Sequence, residues 1–93
     1  MVDDKRKVEL LRQLSTLQAE LDELARTDED QARTIAGFAE LSAHEATRPK
    51  PSPELLKLTV TGLQKSVQEF EETHPRLVEI AGSLSTMLSN IGL

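Results

Sequence analysis

The stretch LKLTVTGLQKSVQEFEETHPRLVEIAGSLSTMLSNI, residues 56–91, decides the fold. Leu56, Val60, Leu63, Val67 and Phe70 recur at spacings of 4, 3, 4 and 3; after a gap of seven, Leu77, Ala81, Leu84, Leu88 and Ile91 repeat the same spacings. That period lays one apolar stripe along a helix and fits no strand. The single skipped position is His74, directly before Pro75. One heptad phase runs through both halves, so the stretch is expected to form a long helix kinked at Pro75. Thr73-His74-Pro75 also makes a serviceable N-cap and first turn, which would break the stretch into two helices instead.

Upstream, Ser52-Pro53-Glu54 combines an N-cap, a proline at the first helical position and an acid in the first turn, so a helix is expected over 53–73. Three prolines at alternate positions, Pro49, Pro51 and Pro53, make 47–53 an extended linker, because proline fixes φ and disfavours α for the residue before it. Near the start, Leu10, Leu14, Leu17, Leu21 and Leu24 again step by 4 and 3, predicting a helix over 4–25. Arg26-Thr27-Asp28-Glu29-Asp30 reads as a stop and restart, with Thr27 as N-cap and three acids facing the positive end of the next helix dipole. That next helix, 28–45, shows an inner face of Ala32, Ile35, Ala36, Ala39 and Ala43 flanked by Phe38 and Leu41, and offers little apolar area. With a last helix over 75–91, the expectation is one all-α domain spanning 1–93. It is an antiparallel helical bundle of three to four helices with coiled-coil-like Leu heptads, kinked or broken at Pro75. The first and third helices, each roughly 30 Å long at ~1.5 Å per residue, are expected to lie side by side.

Leu, Ile, Val and Phe make up 25 of the 93 residues, about 27%, enough for a core though a thin one at this size. The absence of cysteine excludes disulfides and thiolate metal sites. A net charge of −5 argues against nucleic acid as a partner. Lys5-Arg6-Lys7 does not change this: it follows Asp3 and Asp4, lacks an aromatic platform, and reads as a solvated helix start. No apolar h-region follows the charged opening Met1-Val2-Asp3-Asp4, and no stretch approaches ~18 consecutive apolar residues, so a cytoplasmic protein is expected.

Candidate chemistry is sparse. Glu71 and His74 have the Glu-x-x-His spacing of di-iron bundles, but such a site needs a second copy and two more carboxylates. His74 is better read as a cap or hinge beside Pro75. His44 lies four residues after Glu40, a spacing that suits a metal or an ion pair, and near a helix end an imidazolium also interacts favourably with the dipole. A hydrolytic triad needs nucleophile, base and acid converging in a pocket, which short helices around a thin core do not offer. Gly37, Gly62, Gly82 and Gly92 are too scattered to cradle a phosphate. No catalytic residue, metal ligand or cofactor site is assigned, and no enzyme is expected.

Charge is uneven: residues 1–47 carry a net −5, residues 48–93 are neutral, and beyond Arg76 only Glu79 is charged. A final helix of this kind belongs in an interface. The expected function is therefore a non-enzymatic protein–protein interaction or scaffolding role through a homodimer, with an unidentified protein as a further partner. The expected interface is Leu56, Val60, Leu63, Val67, Phe70, Leu77, Leu84, Leu88 and Ile91. Branched residues at a and Leu at d favour two strands, and a second subunit would cover the apolar side of residues 77–93. The counter-reading is a monomeric four-helix bundle in which the last segment folds back at Pro75 and uses the same residues internally. The alternative is a membrane-surface binder through 77–93, whose apolar positions oppose Gly82, Ser83, Ser85, Thr86 and Ser89 as in lipid-packing sensors.

The run from Leu63 to Leu77, with Phe70-Glu71 and His74-Pro75, and the close at Leu88-Ser89-Asn90-Ile91-Gly92-Leu93 resemble a family of short bacterial proteins known as domain of unknown function 4404. The resemblance covers about the last 35 residues, and the leucine-rich acidic first helix is in keeping with it. The family's proline-containing turn after that helix is replaced by Thr27-Asp28-Glu29-Asp30, and the middle helix is not supported by the resemblance. What it implies is a compact bacterial helical protein, with no activity and no catalytic residues to carry over.

Overall fold

A computed structural model describes residues 4–92. Met1, Val2 and Asp3 of the charged opening, and Leu93, lie outside the described residues. Helix α1 spans Asp4–Ala25 and carries its leucines inward at Leu10, Leu17, Leu21 and Leu24. It ends where the Leu24 carbonyl accepts from three donors: the Thr27 amide at 3.0 Å, the Asp28 amide at 2.8 Å and the Thr27 hydroxyl at 3.2 Å. Thr27 thus closes α1 and does not open the next helix. The N-cap of α2, Glu29–Thr47, is instead Asp28, whose carboxylate accepts from the Gln31 amide at 3.1 Å. Glu29 and Asp30 then sit in the first turn, where the dipole favours negative charge. After the proline linker, Ser52 caps α3 by accepting from the Leu55 amide at 3.3 Å, with Pro53 at the helix start.

Helix α3 spans Pro53–Val67, six residues short of the expected end. A 3₁₀ turn over Gln68–Phe70 follows, and the chain reverses before α4, Pro75–Gly92. The His74 carbonyl accepts from the Leu77 and Val78 amides, so Pro75 begins a helix rather than kinking one. The common heptad phase misled for a countable reason. The reversal uses residues 68–74, seven positions or one heptad, so the stripe keeps its phase through a change of direction.

Every sequential pair of helices packs antiparallel. The Phe38 ring lies over Gly62 across α2–α3, Ser89 of α4 lies beside Pro53 and Val60 of α3, and Ile91 of α4 shares a groove with Arg6 and Glu9 of α1. The ring of neighbours is α1–α2–α3–α4–α1, and α2 also touches α4 across the middle. Among the described residues the Cα traces of α1 and α3 nowhere come within 8 Å of each other, contrary to the side-by-side expectation. The alanines of α2 explain this. Ala32, Ala39 and Ala46 let α2 close the short diagonal onto α4, which holds α1 and α3 apart. The resulting body measures 37 × 25 × 18 Å, one helix long and flattened in cross-section.

The core is leucine from α1, Ile35 and alanine from α2, and the 56–91 stripe from α3 and α4. Of the nine residues expected to form an interface, Leu56, Val60, Leu63, Val67, Phe70, Leu77, Leu84 and Leu88 are buried within one chain, and Ile91 is half-buried against the same core. The premise that residues 77–91 need a second subunit does not hold. Leu77, Ala81, Leu84 and Leu88 have no exposed surface, because α1, α2 and α3 all reach α4.

Candidate functional site

The two histidines sit at opposite ends of the bundle. His74 precedes α4 at the end that also holds the α1–α2 turn; its ring meets Phe70 edge-on at 5.8 Å, and Nδ1 lies 3.1 Å from the Thr73 hydroxyl. Phe70 closes the core beneath it, and the His74 amide donates to the Phe70 carbonyl at 2.7 Å. Glu71 is exposed on the turn. His44 is exposed in the last turn of α2, at the other end, with Glu40 exposed one turn before it. Among the described residues no three His, Asp or Glu side chains gather as a metal site would require. The helix-end role read for His74 is the one its backbone fills.

A buried acid that the periodicity gave no reason to single out lies next to His44. Glu45 is on the side of α2 facing the linker, almost fully buried, and its Oε2 accepts from the Ser52 amide at 2.8 Å. Arg48 Nη1 donates to both carboxylate oxygens, at 3.0 and 3.2 Å. The Ser52 amide, followed by the Arg48 guanidinium, holds the carboxyl below its ordinary range against the opposing effect of burial. One carboxylate therefore ties the end of α2 to the start of α3 across the proline linker. The only hint of it in the sequence is an acid seven residues before a Ser-Pro helix start. A buried Ser42 hydroxyl one turn before it has no partner among the described residues.

The grooves between helices are shallow and open to solvent. One of about 420 Å³ between α3 and α4 is bounded by Leu56, Lys57, Val60, Thr61, Gln64 and Ser89. Another of about 310 Å³ between α1 and α2 is lined mainly by Leu14, Leu17, Leu21 and alanines. Among the described residues no hydrogen bond joins Lys57 to Thr61 or Ser89 in the first. No helix among the described residues is long and apolar enough to cross a membrane. The apolar side of α4, offered above as a lipid-facing surface, points into the bundle, and Gly82, Ser83, Thr86 and Asn90 face out.

What remains open to a partner is a set of leucines outside the nine-residue stripe. Leu41 is 56% exposed, Leu55 48% and Leu58 68%. The Phe38–Gly62 contact fixes the α2–α3 register. Counting one turn down α2 and one turn back along α3 brings Leu41 level with Leu58, and Glu45 level with Leu55. Phe38 and Leu41 lie one turn apart on α2, as do Leu55 and Leu58 on α3, so the four form one apolar patch across the helix pair. Val8 and Leu11 make a smaller exposed spot near the start of α1.

Small antiparallel four-helix bundles with short connections are the class that this architecture defines. A family model described as "Domain of unknown function (DUF4404)" matches residues 10–93, and the chain belongs to that family. The match takes in the middle helix, which the resemblance read from the sequence had left unsupported. No curated protein and no solved structure matches the chain.

Proposed function

We propose that this protein is a non-enzymatic interaction module that works by self-association. The observation supporting this is the patch of Phe38, Leu41, Leu55 and Leu58. Leu41, Leu55 and Leu58 stay exposed beside the half-buried Phe38, although the core beneath them is already filled. Scattered surface leucines need no explanation, but a contiguous apolar patch on a small bundle is a recurrent mark of an interaction site. The buried stripe at 56–91 contributes by making the monomer fold complete, so that association joins finished bundles. Sedimentation or multi-angle light scattering at micromolar concentration tests it. A mass near twice 10.3 kDa is expected, and a mass that stays at 10.3 kDa across that range counts against self-association.

A further inference from the structure

We infer that the partner is a second copy of this chain, docked through the α2–α3 face with its α3 antiparallel to the first. This rests on the self-association proposed above and adds the surface and the register. The outer ridge of α3 reads Glu54, Leu58, Thr61 and Lys65, at spacings of 4, 3 and 4, all on one line of the helix. Glu54, Leu58 and Lys65 are exposed, and neither Glu54 nor Lys65 has an ion-pair partner among the described residues.

The ridge is charged at its two ends with opposite sign and uncharged between them. A two-fold axis at the level of residues 59–60 sets Glu54 against the partner's Lys65 and Lys65 against the partner's Glu54, over about 16 Å at ~1.5 Å per residue. The same axis meets α2 at the level of residues 40–41, so Leu41 packs on the partner's Leu41, while Leu58 lies opposite the partner's Thr61 and about 4.5 Å along the helix from the partner's Leu58. An isologous contact demands this self-complementarity. The patch is apolar at its centre and carries opposite charges at equal distances from it, so one rotation satisfies both features. An unrelated amphipathic helix would use the leucines but gains nothing from the mirrored charges.

The test uses the full chain in three forms: unaltered, Glu54→Lys and Lys65→Glu. The first substitution places two lysines at each end of the contact and the second places two glutamates there. Both positions are solvent-exposed, so the fold should persist by circular dichroism. Each variant alone is expected to dimerise at least about tenfold more weakly than the unaltered chain, since like charges facing each other in an interface are strongly disfavoured. An equimolar mixture of the two is expected to recover affinity as a heterodimer. The lysine introduced in one chain then meets the glutamate introduced in the other, and the native Lys65 of the first meets the native Glu54 of the second. Light scattering and native mass spectrometry read both results. A dimer that forms in the unaltered chain but ignores both reversals, or a mixture that fails to recover, overturns this surface while leaving self-association standing. An unaltered chain that never dimerises removes the self-association itself.

Discussion

Glu45 joins two helices that meet across a proline linker. Its carboxylate takes the place of a backbone acceptor there, where a proline-rich segment leaves few backbone partners, and it sits at the positive end of the α3 dipole. Because its folded pKa is depressed, the unfolded chain binds the proton more readily. Its stabilising contribution is complete above the unfolded carboxylate pKa and is lost as pH falls through the lower folded value. Glu45→Gln should therefore lower the melting temperature at pH 7 and flatten the fall of stability below about pH 5, the region where ordinary carboxylates begin to titrate. Thermal melts of both chains from pH 3 to pH 7 check this; parallel curves would remove the linker clasp as a stabilising feature. Glu9, held low chiefly by its hydrogen bond from Arg12, is half-buried on α1 and touches no other helix through that pair, so the comparison isolates Glu45.

Among the helices, α2 and α3 approach closely, and Gly62 is the reason. A Cβ at that position would run into the Phe38 ring. Alanine normally improves a helix interior over glycine by about 1 kcal/mol, but here overpacking against an aromatic ring costs about 1–3 kcal/mol. Gly62→Ala is expected to destabilise the chain, whereas in a Phe38→Ala background the same change should stabilise it. Denaturant unfolding of the four chains in this cycle measures the coupling; additive effects would mean that the ring does not sit over the glycine. The expected weakness of α2 also resolves at this scale. Alanine supplies little buried area, yet it permits the α2–α4 approach that leaves α4 covered on three sides.

For the molecule as a whole, the 56–91 stripe is the core, and the exposed leucines are a separate resource. Leu84→Ala should cost about 2–5 kcal/mol of folding stability by leaving a cavity at a fully buried site. Leu58→Ala, 68% exposed, should stay within about 0.5 kcal/mol. Urea titrations at a concentration too low for association compare the two directly. If the stripe were instead an intersubunit seam, the cost of Leu84→Ala would rise and fall with protein concentration.

The all-helical class, the apolar stripes of α1, α3 and α4 and the Ser52-Pro53 start were legible in the residues, because each depends on spacing within one short segment. The helical identity of α3 and α4 needed nothing beyond the 4, 3 repeat within each. What periodicity cannot carry is direction. A stripe that keeps its phase through seven residues is the same string whether the chain runs on or turns back, and only packing of α4 onto α1 and α3 settles that it turns. Nor can periodicity say which stripe covers which, because that depends on how closely two helix axes approach. The alanines of α2 and the bare Gly62 set those distances, and they appear in a sequence only as residues with little to offer. Burial of Glu45 belongs to the same class, since an acid becomes buried only when a distant backbone amide arrives to bond it. The sequence by itself determined what each helix is; tertiary structure decided which faces were left for a partner.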